Sequence, residues 1–256
     1  MDDEKRVNKL KKVLAVIPAR GGSKGIPDKN LRLVGNRPLI HYSVLCAKRA
    51  KMVDRVIVST DDVRIAKEVQ KVGAEVPFLR PAELSTNSVS LIPVIIHAVR
   101  YLEDAENWKP DIVASIQPTS PFLESETIDR AVEILLKTEA DSVVTIKQIL
   151  HEHPFWVKKL DDDKVIPFGE LTDESYLQRQ DLPPAYIYDG ALYVRRRYLL
   201  DNWSGKDFCL GKDIRGLTSH GFCSLHVDDM IDLEAARGVY RLIERKNRYN
   251  YDGMKK

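Results

Sequence analysis

The chain has 256 residues, of which 43% are hydrophobic and 30% are charged. This composition supplies enough apolar material for a core and excludes a chain that is disordered throughout. The 40 Lys and Arg residues against 38 Asp and Glu give a net charge of +2, which argues against bulk affinity for nucleic acid or an anionic membrane. Three scattered cysteines exclude a disulfide framework.

No apolar run approaches the roughly 18 residues needed to cross a bilayer. Residues 1–12 are mostly charged and lack the apolar region of a signal peptide. We therefore expect a soluble, cytoplasmic protein.

Short apolar or β-branched segments predict strands at Val13–Ala19, Val53–Thr60, Asp111–Gln117 and Asp141–Ile146. Segments between them have helical periodicity, at Asp62–Val72, Leu91–Leu102 and Thr127–Leu136. Strands that alternate with helices predict an α/β domain with a mainly parallel sheet.

The pattern changes near residue 147. Residues 147–184 contain aromatic residues, several prolines and a turn-like run of three aspartates, which indicates an inserted hairpin segment. Strand-like patterns resume at Tyr186–Arg195 and at Phe222–Val227. An amphipathic helix is predicted at Asp232–Asn247.

A glycine-rich loop, Ala19–Asn30, follows the first predicted strand. In open α/β sheets, ligands bind beyond the carboxyl ends of the strands, where glycines let backbone N–H groups approach phosphate. Residues 13–37 hold five cations and one anion, which favours a polyphosphate ligand. The loop matches neither a Walker A motif nor a G-x-G-x-x-G fingerprint, which argues against a P-loop kinase or a dehydrogenase. A surface turn with solvated lysines is the alternative interpretation.

This loop resembles the nucleotide-binding signature of the acylneuraminate cytidylyltransferase family. The resemblance continues in order along residues 13–245, through Val58–Asp62, Leu79–Leu84, Gln117–Pro121, Arg179-Gln180, Asp189–Tyr193 and Asp228. It implies one Rossmann-like three-layer α/β/α nucleotidyltransferase domain over residues 1–256, with an inserted dimerisation segment at about 147–186.

The resemblance also implies which residues bind CTP. These nucleotide-binding residues are Arg20, Gly21, Gly22, Ser23, Lys29, Asn30, Arg80, Ser88 and Ser90. Guanidinium and ammonium groups suit phosphate oxygens, and hydroxyl groups suit the edge of cytosine. Arg20, Lys29 and Asp228 are implied to be catalytic.

A second set of residues is implied to bind an acidic sugar. They are Gln117, Thr119, Ser120, Arg179, Asp189, Gly190 and Tyr193. Arg179 suits a carboxylate through bidentate pairing, and we expect a homodimer in which Arg179 and Lys158 act in the partner's site. The family often has Arg-Pro-Asn where this chain has Ile187-Tyr188-Asp189, so N-acetylneuraminate-, legionaminate- and pseudaminate-type sugars all remain open.

The segment 226–232 is acidic and precedes the last predicted helix. Mg²⁺ prefers a few carboxylates together with substrate phosphates and water, so Asp228 is the expected ligand. The family usually has two aspartates separated by one residue here, and His226 occupies the first position. His226 then acts as a metal ligand, a base or a supporting group, or Asp61 supplies the missing carboxylate. Asp229 or Asp232 is expected to cap the helix.

The function implied is transfer of CMP from CTP to the anomeric hydroxyl of an acidic nine-carbon 2-keto sugar, with release of pyrophosphate. Three alternatives stay open: a 3-deoxy-octulosonate cytidylyltransferase, a catalytically silent nucleotide-binding protein, and a nucleotide-sugar-dependent glycosyltransferase.

Overall fold

The computed structural model describes residues 11–23, 25–149, 151–168 and 178–252. Their strands, in chain order, are β1 (Val13–Pro18), β2 (Leu33–Val34), β3 (Arg37–Pro38), β4 (Arg55–Ser59), β5 (Ile112–Ile116), β6 (Ser142–Gln148), β7 (Lys158–Asp161), β8 (Lys164–Pro167), β9 (Tyr186–Arg196) and β10 (Ile214–Thr218). The helices are α1 (Leu39–Arg49), α2 (Val63–Lys71), α3 (Leu91–Glu106), α4 (Ser125–Thr138) and α5 (Met230–Asp252).

A six-stranded sheet in the order β10-β6-β9-β5-β1-β4 forms the centre of the molecule. Strands β4, β1 and β5 are parallel, as the sequence predicts, and β10 is parallel to β6. Strand β9 is antiparallel to both of its neighbours, β5 and β6. This reversal places the first half of β9 beside the carboxyl end of β5, where Gln117 N donates to Ala191 O at 3.0 Å.

Helices cover both faces of the sheet, which confirms the predicted layered α/β fold. One face packs against α1, α2 and α4 through buried aliphatic residues such as Val44, Val69 and Val132. The other face packs against α3 through residues such as Ile95 and Val99. Because strands between two helical layers are apolar on both faces, β1 and β5 are buried along nearly their whole length.

Helix α5 packs against the loop after β1 rather than against the centre of the sheet. Leu233 and Ala236 of α5 share a buried cluster with Ile26 and Val227. The last helix therefore braces the glycine-rich loop. Among the described residues, no helix is long and apolar enough to cross a membrane.

One prediction near the end of the chain is wrong, and one strand there was not predicted. The segment 222–227 forms no strand: Gly221–Ser224 is a short 3₁₀ turn, and Phe222 is 45% exposed. The sequence does not predict β10, because of its five residues only Leu217 is buried and the strand contains Gly216. A Cβ on Gly216 would lie 2.6 Å from Ile146 Cδ1, so a larger residue there would require the end of the Ile146 side chain to move.

The predicted insertion contains the hairpin of β7 and β8, which pair in antiparallel register from Lys158↔Pro167 to Asp161↔Lys164. Its apolar side chains are largely solvent-exposed, with Leu160 at 73% and Val165 at 66%.

Candidate active site

The candidate site lies where β1, β4 and β5 end together at the carboxyl edge of the sheet. Ala19 N donates to Ser59 O at 2.9 Å, so the ends of β1 and β4 remain paired as the glycine-rich loop begins. The chain after β5 carries Gln117 and the residues that follow it to the same edge. Parallel topology thereby gathers three predicted motifs in one place.

The glycine-rich loop is held by side chains of its neighbours. Gly21 N donates to Asp61 Oδ1 at 2.9 Å, and Asn30 Nδ2 donates to Arg20 O at 3.0 Å. A Cβ on Gly21 would lie 2.7 Å from Asp62 Oδ2, so the close approach requires glycine. Asp62 in turn caps α2 by accepting from Arg64 N. The Oδ1 atom of Asp61 therefore helps to hold the loop.

The cationic loop and the acidic segment before α5 are in direct contact. Lys29 Nζ donates to Val227 O at 2.9 Å and to Asp228 Oδ1 at 3.1 Å. The side chain of Lys29 is 14% exposed, whereas that of Asp228 is 72% exposed. A Cβ on Gly25 would lie only 2.5 Å from Asp228 O, so the two backbones also touch. The structure therefore brings together two of the three predicted catalytic residues.

His226 connects the acidic segment to the chain after β5. Its Nε2 lies 2.7 Å from Thr119 Oγ1, and its Nδ1 lies 3.1 Å from Ser120 Oγ. Val227 N also donates to Thr119 O at 2.8 Å. Burial lowers the pKa of His226, so at neutral pH one ring nitrogen donates and the other accepts. His226 thus orients the two hydroxyls that were predicted to bind sugar.

Arg80 is a buried cation at this edge, and two of its guanidinium nitrogens form no hydrogen bond with the described residues. Its backbone N donates to Thr60 O at 2.7 Å, and its side chain is 4% exposed. Nη2 lies 3.9 Å from Asp61 Oδ1, and neither Nε nor Nη2 has a hydrogen-bond partner among the described residues. Burial lowers the pKa of Arg80. Free donors on a buried guanidinium are an arrangement that a ligand can complete.

The other predicted nucleotide-binding residues lie in the glycine-rich loop and in the chain between Arg80 and α3. Arg20 Nη1 reaches Thr86 O at 3.3 Å, and the exposed Ser88 contacts Thr86 through their hydroxyls at 3.0 Å. Ser90 is exposed and directly precedes α3. A Cβ added to Gly22 would meet open space, with no described atom within 4 Å, and Ser23 is half-buried.

The predicted sugar residues of β9 have different environments. Asp189 is buried, and its two oxygens accept from Thr145 Oγ1, Ala191 N and Ser219 Oγ. All these donors belong to the protein, so the carboxylate holds the start of β9 in place. Gly190 has φ +79°, a conformation that favours glycine, and a Cβ there would lie 3.5 Å from the imidazole of His226. The backbone of β9 therefore passes close to His226.

Tyr193 lies deeper on β9 and is 8% exposed. Its ring stacks on Phe208 with centroids 6.1 Å apart, and Tyr188 packs edge-on against both rings. Burial raises the pKa of Tyr193. Tyr188 and Phe208 are not among the predicted site residues, because only the fold brings Phe208 against two rings that lie 15 and 20 positions before it.

Gln117 and Arg179 complete the predicted sugar set. Gln117 is half-buried, and its backbone O accepts from Ser43 Oγ at 3.1 Å. The side chain of Arg179 lies outside the described residues. Lys158 is exposed on β7.

The carboxylate of Asp228, the predicted metal ligand, is 72% exposed. In the described part of the chain, no group of three or more His, Cys, Asp or Glu side chains is arranged to hold an ion. His226 Nε2 lies 3.7 Å from Asp228 Oδ2, but both of its nitrogens contact hydroxyls. Asp229 and Asp232 cap α5, as expected: Asp232 N donates to Asp229 Oδ1 at 3.0 Å.

Known proteins resemble this chain along most of its length. A family model described as cytidylyltransferase matches residues 14–208. CMP-N,N′-diacetyllegionaminic acid synthase of Legionella pneumophila is 35% identical over 183 residues, covering 72% of this chain and 77% of the relative. Pseudaminic acid cytidylyltransferase of Campylobacter jejuni is 30% identical over 90% of this chain and 97% of its own length.

N-acylneuraminate cytidylyltransferase of Escherichia coli is 31% identical over 94% of this chain and 54% of the relative. Among solved structures, CMP:2-keto-3-deoxy-manno-octonic acid synthetase complexed with CTP superposes with a TM-score of 0.68. It is 19% identical, and the match covers 91% of this chain and 99% of the other. At that identity the likeness shows the shared fold.

Proposed function

The chain belongs to the cytidylyltransferase family, and from this premise we propose that it transfers CMP from CTP to an acidic nine-carbon 2-keto sugar. The anomeric hydroxyl of the sugar attacks the α-phosphorus of CTP. A bond forms between the sugar oxygen and phosphorus, the bond to the β-phosphate oxygen breaks, and pyrophosphate leaves. The hydroxyl proton passes to solvent. The single observation that carries the proposal is the contact of Lys29 with Asp228 beside the glycine-rich loop.

The loop after β1 supplies the phosphate subsite. The backbone around Gly22 borders open space, and Arg20 and Lys29 bring two positive charges to the same loop. Negative charge develops on the leaving pyrophosphate in such a reaction, and fixed cations stabilise it without reorganising. The Lys29 ammonium is held by Val227 O and Asp228, so its position is set before CTP binds.

Arg80 and the loop after it supply the nucleoside subsite. Its Nε and Nη2 are buried and have no hydrogen-bond partner in the described chain, so the guanidinium gains hydrogen bonds if it turns toward a base carbonyl or a ribose oxygen when CTP binds. Ser88 and Ser90 are exposed nearby on the chain that leads into α3. A site built to pair with polar edges rejects a base that leaves those groups unpaired.

Asp228 is the residue that would hold Mg²⁺. Its carboxylate is 72% exposed, and the His226 nitrogen lies 3.7 Å from Oδ2, beyond hydrogen-bonding distance. Mg²⁺ is commonly held by one or two carboxylates with substrate phosphates and water, so one exposed aspartate beside the phosphate subsite can suffice. The ion would supply positive charge at the phosphates.

The sugar is proposed to bind between Gln117 and Tyr193. Thr119 and Ser120 are buried, and their contacts with His226 hold the chain after Gln117 in place. The rings of Tyr188 and Phe208 are exposed and would offer apolar contact to a substituent of the sugar. The relatives whose names refer to legionaminic, pseudaminic and acylneuraminic acids support this substrate class.

We further propose a homodimer in which the hairpin of β7 and β8 is the contact surface. Leu160, Val165 and Phe168 are each at least 66% exposed, and burying them against a second copy removes apolar surface from water. Leu160→Glu should convert the dimer to a monomer in light-scattering measurements. If Leu160→Glu leaves the oligomeric state unchanged, this surface is not the dimer contact.

Pyrophosphate release tests the function. The protein is incubated with Mg²⁺, each nucleoside triphosphate in turn, and N-acetylneuraminate, N,N′-diacetyllegionaminate, pseudaminate or 3-deoxy-octulosonate. Release is expected with CTP and a nine-carbon acid. Release with 3-deoxy-octulosonate alone would identify the eight-carbon relative, and CTP binding without release would identify a silent nucleotide-binding protein.

A further inference from the structure

Three consecutive arginines at the end of β9 have three different environments. Arg197 pairs with the carboxylate of Glu103 at 2.6 Å. Arg196 donates to two backbone carbonyls, one near the end of α4 and one in the turn after it. Arg195 is fully buried, and its one hydrogen bond to the described protein runs from Nη1 to Ser115 Oγ at 3.1 Å. Its Nε and Nη2 have no partner there.

The Arg195 charge has no counter-ion in the part of the chain that the structure describes. The ionisable groups that act on it are Cys209 and Tyr193. Burial raises the pKa of both, so neither is an anion at neutral pH. Burial lowers the pKa of Arg195 itself to about 10, which leaves the guanidinium charged. Buried charges are costly and are normally paired, so an unpaired one leaves a positive potential around it that favours an anion bound nearby.

The position of Arg195 indicates which anion. Side chains two residues apart on a strand share a face, so Arg195 lies behind Tyr193, with its guanidinium carbon 5.9 Å from the ring centroid. Ser115, which holds the guanidinium, pairs in register with Tyr193 and precedes Gln117 by two residues. The cation therefore lies directly beneath the edge that carries Tyr193 and Gln117.

We propose that Arg195 is the specificity-determining positioning residue for the acidic group of the sugar. Its charge attracts the sugar carboxylate across the Tyr193 layer without touching it. This inference rests on the proposed function, because it assigns the anion to the acid sugar. A unit charge that acts across roughly 10 Å of protein at an effective dielectric constant of about 20 changes affinity for a single anion about tenfold. A neutral sugar of the same shape gains nothing from it.

The test compares the acid with its neutral methyl ester. The acid sugar turned over by the wild-type enzyme is the substrate, and its methyl ester is a competitive inhibitor. Arg195→Gln and Arg195→Met remove the charge, and Arg195→Lys retains it. In both neutral variants we expect KM for the acid to rise about tenfold, while Ki for the ester and KM for CTP stay within about twofold. Arg195→Lys should resemble the wild type.

Several results would overturn the inference. Equal weakening of acid and ester would show that Arg195 only supports the shape of the site, and an unchanged KM for the acid would show that its charge does not reach the sugar. If both neutral variants fail to fold in thermal unfolding, the charge is a structural element and the proposal is wrong. If the wild-type enzyme turns over no acid sugar, the proposed function fails first and this inference falls with it.

Discussion

Replacing Gly25 by alanine tests whether the contact between the glycine-rich loop and Asp228 organises the site. The new Cβ would lie 2.5 Å from Asp228 O, which is about 0.9 Å closer than the 3.4 Å at which ordinary van der Waals contact begins. The obstructing atom is backbone, so the loop and the segment before α5 must separate by nearly that distance. Lys29 Nζ now lies 2.9 Å from Val227 O and 3.1 Å from Asp228 Oδ1, and such a shift would break both hydrogen bonds.

A displacement of about 1 Å in a catalytic arrangement can cost about 100-fold in rate, or about 2.7 kcal/mol of transition-state stabilisation. We therefore expect kcat/KM of Gly25→Ala to fall about 100-fold in steady-state pyrophosphate release from CTP and the acid sugar. The overpacking should also lower the free energy of unfolding by about 1–3 kcal/mol, which urea denaturation measures. The assay is run where circular dichroism shows that the variant is folded.

Gly238→Ala is the matched control. Gly238 lies within α5, and the closest atom to an added Cβ is Arg241 Nη2 at 4.0 Å. Alanine in a helix interior stabilises by about 0.5–1 kcal/mol relative to glycine, and activity should not change. If Gly25→Ala retains kcat/KM within about threefold of the control, the contact between Gly25 and Asp228 does not organise the site.

Three further substitutions have expected outcomes. Asp228→Asn should abolish pyrophosphate release and leave the melting temperature unchanged, because the side chain is 72% exposed; near-normal release would mean that Asp228 holds no metal. Asp189→Asn should lower the free energy of unfolding by about 2 kcal/mol in urea denaturation, since an amide nitrogen cannot accept the hydrogen bonds that this buried carboxylate accepts. An equally stable variant with a raised KM for the sugar would instead show a binding role. Burial lowers the pKa of His97 below 6.5, so the unfolded chain binds the proton more tightly and stability falls as pH drops through about 6.5. His97→Phe should reduce the loss of unfolding free energy between about pH 7.5 and 5.5, and an unchanged loss would contradict this linkage.

The parallel part of the fold was predictable because its signals are local. The segments that form β1 and β5 are apolar on both faces. This pattern is typical of strands in a sheet that is covered by helices on both sides. The glycine-rich loop was visible for a similar reason: its glycines, cations and place after a strand all lie within 12 consecutive residues.

The antiparallel β9 was not predictable, since strand direction depends on pairing with strands far away in the sequence. The same holds for His226, whose partners Thr119 and Ser120 are more than 100 residues away. Among three consecutive arginines, nothing in the sequence distinguishes Arg195 from its neighbours. The register of β9 determines that Arg195 is buried, and within the described chain no carboxylate pairs with it.

The most direct test of the central claim follows the phosphorus atoms of CTP. The enzyme is supplied with Mg²⁺, a nine-carbon acid sugar, and CTP labelled either at the α- or at the γ-phosphate. We predict that the α-label appears in a sugar–CMP conjugate, that the γ-label appears in pyrophosphate, and that neither label moves without the sugar. Transfer of the γ-label to the sugar, or release of pyrophosphate with no labelled conjugate, would contradict the proposed reaction.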